Sequence, residues 1–127
     1  MKRQSVFSTS IFSVLVFVLM IICLGPQVSY ADAPQDVTLE YDSSAQTLAV
    51  TITHKSSFPG FHHIKTVEIK KNAAVISKTN YDTQPAKSPF TYTYKVDVAQ
   101  GDKLDVTVTC NMSGSKTETI TVPKAKK

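Results

Sequence analysis

The chain has 127 residues, with 14 basic side chains against ten acidic ones and only two cysteines. That length supports one domain built on a single modest core. With Lys2 and Arg3 set aside as part of a leader, residues 32–127 carry 12 basic and ten acidic side chains, a net charge of +2. Such a balance argues neither for nucleic acid nor for a strongly acidic partner.

The leader comes first. Lys2 and Arg3 precede an apolar run of fourteen residues, Ile11 to Leu24, interrupted only by Ser13. Gly25 and Pro26 end it, and Ser29-Tyr30-Ala31 places small residues at the two positions a signal peptidase reads. The pattern predicts a secretory signal peptide over 1–31, cleaved after Ala31, and a mature domain over 32–127 that is periplasmic or extracellular. The run is shorter than the ~20 apolar residues of a spanning helix, so no stable membrane span is expected after cleavage. Ile22 stands where a lipoprotein signal needs a small residue before its cysteine, Cys23. Cys110 is then the one cysteine of the mature chain, which excludes an internal disulfide and leaves packing, or a metal, to hold the fold.

The mature sequence reads as strand throughout. VTLEY (37–41) and TLAVTIT (47–53) alternate apolar with polar or Thr around the turn-like DSSAQ. IKTVEIKK (64–71), VISKTN (75–80), FTYTYKVDV (90–98), KLDVTVTC (103–110) and KTETITV (116–122) continue the pattern, separated by NAA, AQGD and NMSGS turns. Seven strands rich in Val, Thr and Ile at such spacing predict an all-β fold, an immunoglobulin-like antiparallel β-sandwich.

Two connections are long. HKSSFPGFHH (54–63) holds all three histidines of the protein, and YDTQPAKSPF (81–90) holds two prolines that suggest a contact surface. Loops on a rigid sandwich are where functional groups sit. His54, His62 and His63 offer neutral nitrogen donors, and Cys110, at the turn ending its strand, offers a soft thiolate. A metal-bound thiolate accounts for a lone exported cysteine; a small buried hydrophobe accounts for it equally. No basic residue adjoins Cys110, so a reactive redox thiol ranks below both. Asn111-Met112-Ser113 also fits the glycosylation pattern, which matters only in a eukaryotic secretory pathway. Hydrolytic triads, phosphate-binding glycine loops and paired catalytic carboxylates do not occur.

The strings H54-KSSFPGF-HHIKTVEI and GDKLDVTVTCNMSG resemble the iron domain of the desulfoferrodoxin and neelaredoxin family, the superoxide reductases. His54 and His62 match two histidines of the family, Ile64, Val67, Glu68 and Ile69 follow its strand, and Cys110, Asn111 and Gly114 match its cysteine turn. The resemblance covers about 54–122 and implies an immunoglobulin-like sandwich. It also implies ferrous, non-haem iron held by four histidine nitrogens and an axial cysteine sulfur, reducing superoxide to peroxide with an external electron donor. Lys55, beside His54, would help attract the anion. Ser113 stands where the family has its last histidine ligand, residues 32–53 contain no histidine, the first loop is two residues longer, and Thr66 replaces the strand tryptophan. Of the family's ligands His54, His62 and Cys110 remain, with His63 as a possible substitute. Such a set suits copper or zinc as well as iron. From a different class, the domain also resembles the non-catalytic partner subunit of the periplasmic sulfur-oxidation carrier. On that reading it is a metal-free binding module, and either reading is compatible with a homo-oligomer.

Overall fold

In the computed structural model, residues 5–23 and 33–124 are described. The N-terminal segment forms one helix, α1 (Ser5–Cys23), whose described side chains, 11–20, are all exposed. No described helix is long and apolar enough to cross a membrane. The expected cleavage point after Ala31 lies outside the described residues.

Seven strands follow: β1 (Asp36–Asp42), β2 (Thr47–Thr53), β3 (Ile64–Lys71), β4 (Ala74–Asn80), β5 (Phe90–Lys95), β6 (Lys103–Cys110) and β7 (Ser115–Thr121). They form two antiparallel sheets, one of three strands in the order β1-β2-β5 and one of four in the order β4-β3-β6-β7. β1 also lies against β7, which closes one side of the sandwich. The expected strands are all present. The fifth is shorter than the 90–98 that its alternation predicts. Val96 N still donates to Gln46 O at 2.9 Å, one step beyond the last pair of Thr47 with Lys95, but Gln46 has φ of +52° and the partner strand goes no further. The Val96 carbonyl accepts from Tyr41 Oη at 3.1 Å.

The core follows from the two-residue period of the strands. Leu48, Val50 and Ile52 of β2 face Val67 and Ile69 of β3 and Leu104, Val106 and Val108 of β6, all fully buried. The Thr and charged residues between them point to solvent, as a one-sided sheet requires. On the side away from β1, aromatic rings fill the gap between the sheets. Tyr81 and Tyr92 stack at 4.3 Å, Phe90 meets Tyr92 edge-on at 5.3 Å, and the hydroxyls of Tyr81 and Tyr94 are 2.6 Å apart.

The up-and-down order of the strands decides where the loops go. The β2–β3, β4–β5 and β6–β7 connections all emerge at one end, with the turns β1–β2 and β3–β4 at the other. Residues 33–35 join the first group. Gln35 N donates to Thr53 O at 2.8 Å, Lys116 Nζ to Gln35 O at 3.3 Å, and Ala33 lies so close to Gly114 that a Cβ there would come within 2.7 Å of the Ala33 Cβ. Gly114 also has φ of +83°, a conformation that favours glycine, so this turn has two independent reasons for its residue.

Burial, reinforced by the Tyr81 hydroxyl, pushes the Tyr94 phenol well above its ordinary range, and burial raises Tyr92 as well. The folded state therefore favours the neutral phenols. Their contribution is complete below the unfolded value near 10 and is lost as pH rises above it. Denaturant midpoints should fall progressively above about pH 10, and ultraviolet titration should show phenols that ionise only as the protein unfolds; for Tyr94→Phe the alkaline fall should be smaller.

Candidate metal centre

His54 and Cys110 are brought together by the same periodicity that builds the core. Leu48, Val50 and Ile52 occupy the inward row of β2, and the next position in that row is His54. Leu104, Val106 and Val108 occupy the inward row of β6, and the next position is Cys110. The two sheets thus end in a layer where a histidine from one faces a cysteine from the other. Both are buried, His54 to 2 % exposure and Cys110 to 4 %.

His62 reaches this layer through a bulge. Cys110 pairs with Ile64 and Thr109 with Thr66, so Lys65 is an extra residue in β3. Without it, Ile64 would share the outward face of Thr66. With it, Ile64 turns inward beside Cys110, and the alternation then carries His62 to the inner face and His63 to the outer one. Histidine rings 54 and 62 meet edge to face with centroids 4.7 Å apart. The donor atoms of His54, His62 and Cys110 all lie within 4.8 Å of one another.

His63 is not part of that group. Its Nε2 lies 3.0 Å from the carbonyl of Tyr81, to which it donates, and its Nδ1 is buried with no hydrogen-bond partner among the described residues. Ser113 is exposed.

A buried amide holds the site in place. Gln84 in the β4–β5 loop is 5 % exposed and joins three groups. Its Nε2 donates to His54 O at 2.8 Å, while its Oε1 accepts from Ile64 N at 3.0 Å and lies 2.7 Å from His54 Nδ1. The Ile64 amide can only donate, so the atom facing it is the oxygen. Hence His54 Nδ1 carries the proton, and in the neutral ring Nε2 keeps its lone pair. A carbonyl oxygen fixing one ring nitrogen so that the other can ligate is the usual support for a metal-binding histidine. His54 N also donates to Ser88 Oγ at 3.0 Å, so the β4–β5 loop grips this residue twice.

Asn111 does the same work on the other side. Its Nδ2 donates to Phe61 O at 2.7 Å, its Oδ1 accepts from His63 N at 2.9 Å, and its backbone N donates to His63 O at 3.0 Å. These bonds clamp the β6–β7 turn to the histidine loop. The loop is itself closed by Phe61 N and His62 N, both donating to Phe58 O. His62 is half-buried, and Phe58, Phe61 and Met112 stand exposed at this end of the sandwich.

Two imidazoles and a thiol in reach of one point suit a transition metal by donor type, and a 4.8 Å spread is within side-chain adjustment around an ion with bonds of roughly 2.0–2.3 Å. Of the four sequence candidates, the fold assembles three. Gln84 was missed: its segment reads as a proline-rich surface loop, and a single Gln in such a stretch carries no signal of burial. No protein-family profile and no curated protein matches the chain.

Gln84→Ala leaves the Ile64 amide and two His54 groups to find other partners. Each buried polar group left unsatisfied costs ~1–3 kcal/mol, so the variant should lose at least about 1–3 kcal/mol in denaturant unfolding. An exposed change on the same loop, Thr83→Ala, should stay within about 0.5 kcal/mol of the wild type.

Proposed function

We propose that this protein is an exported immunoglobulin-like β-sandwich that holds one transition-metal ion through His54, His62 and Cys110, a reduced form of the superoxide reductase iron centre. The observation that carries this reading is the buried three-donor group itself, with its spread of 4.8 Å. The strand order β1-β2-β5 against β4-β3-β6-β7 supports the fold assignment. The leader supports export.

The chain's own residues have definite tasks on this reading. Gln84 sets the tautomer and orientation of His54. Cys110 offers its sulfur from the end of a central strand, sheltered from solvent, and would ligate as the thiolate when a metal is bound. His62, half-buried, sits on the solvent side of the layer, and exposed Lys55 places positive charge near an approaching anion. Ferrous iron bound there would supply one electron to superoxide, which leaves as hydrogen peroxide after taking two protons from solvent; an external donor would restore the ferrous ion.

A second reading assigns the site to copper or zinc. The observation favouring it is the donor count: the described residues bring three His or Cys donors together, and a low-coordinate set containing a thiolate suits those softer ions.

Metal analysis of the purified chain after oxygen-free loading with ferrous iron is the deciding measurement. The expected result is near-stoichiometric iron that disappears in Cys110→Ala and is held roughly 10–100-fold more weakly in Gln84→Ala. The iron-loaded protein should then consume superoxide without releasing oxygen. Copper or zinc retained against iron supports the second reading. Failure to bind any of the three metals overturns both and leaves the binding-module reading.

A further inference from the structure

Beside the candidate metal centre, the β2–β3 and β4–β5 loops enclose a cleft of about 360 Å³ lined by Lys55, Ser56, Ser57, Ala86, Lys87 and Ser88. Its chemistry is one-sided. Two lysines and three serines line it, and none of the lining residues is acidic. The walls are fixed from behind. Gln84 bonds both the carbonyl of His54 and the amide of Ile64, Ser88 Oγ accepts from His54 N, and Ser56 Oγ donates to His62 O at 2.5 Å and accepts from Phe58 N at 3.3 Å. The two loops are therefore held in register before anything enters. Loop backbones fixed in this way leave only the side chains of Lys55, Ser57 and Lys87 to be ordered when an anion binds.

From this we infer that the cleft is a binding site for a tetrahedral oxyanion of the phosphate type, held between Lys55 and Lys87 with Ser57 and Ser88 as hydroxyl partners. Lysine contributes a compact point charge that tolerates any orientation of such an anion, and hydroxyls can donate to its oxygens. The volume lies in the range of small-molecule pockets, roughly 300–1,000 Å³, which leaves room for a small organic body attached to the anion. The site includes none of the three metal donors, and it shares only Lys55 with the proposed metal function. Binding to the metal-free protein therefore tests it apart from that function.

The test is an amide chemical-shift titration of the metal-free full chain at low ionic strength, with inorganic phosphate in one series and glycerol phosphate in another. Saturable shifts confined to residues 55–57 and 86–88 are expected, with affinity at least tenfold weaker in Lys55→Gln/Lys87→Gln and unchanged in Cys110→Ala. Tighter binding of glycerol phosphate assigns the site to an organic ester, and equal or weaker binding assigns it to the free anion. Absence of saturation, shifts spread over all the lysine-bearing surfaces, or equal affinity in the double variant overturns the inference. Both lysines are exposed, so their replacement leaves the fold intact as judged by the remaining spectrum.

Discussion

Every inward-facing residue of this domain depends on the strict two-residue period of β2 and β6. The period stacks Leu48, Val50 and Ile52 on one sheet against Leu104, Val106 and Val108 on the other, and it does not stop where the apolar residues stop. One step further, the same rows present His54 and Cys110. The candidate centre is thus the last layer of the hydrophobic core, with its residue types exchanged for donors. A slip of one residue in either strand would turn its whole apolar row and its donor outward together. Core stability and site geometry therefore rest on one register.

Placing polar groups in a core layer is costly unless each finds a partner. Gln84 meets that cost for His54 and for the first amide of β3, and Asn111 meets it for the His63 backbone and Phe61. Both are short amide side chains on loops, and each offers a donor and an acceptor at once. Two such residues connect three loops that are distant in sequence. The bulge at Lys65 completes the arrangement by reversing the parity of β3 just before it reaches the loop, which brings His62 rather than His63 to the inner face.

The strands were legible because their alternation is strong: VTLEY, TLAVTIT and KLDVTVTC can bury only one face each, and all three form where the pattern places them. His54 and Cys110 were legible as donors by residue type, a loop holding three histidines and a lone cysteine at a turn; their place as the next residues in inward rows came from the fold. His62 and His63 could not be separated by pattern, since the bulge that distinguishes them is a tertiary feature of the β3–β6 pairing. Gln84 was invisible because its burial comes from neighbours supplied by other loops. The end of β5 was overestimated because Val96 and Val98 keep the alternation, whereas its partner β2 begins only at Thr47, after Gln46 at φ of +52°, and offers no strand beyond that point.

His54 follows β2 in the three-stranded sheet and Cys110 ends β6 in the four-stranded sheet. In antibody domains the second and sixth strands are riveted across the core by a disulfide. Residues 32–127 hold one cysteine, so this domain has no such covalent rivet. An ion shared by His54 and Cys110 would fasten the same two strands, closing a loop of more than fifty residues in the unfolded chain. It would do so reversibly, under the control of metal supply rather than of oxidant, so that mechanical cohesion between the two sheets becomes something the surroundings can grant or withdraw.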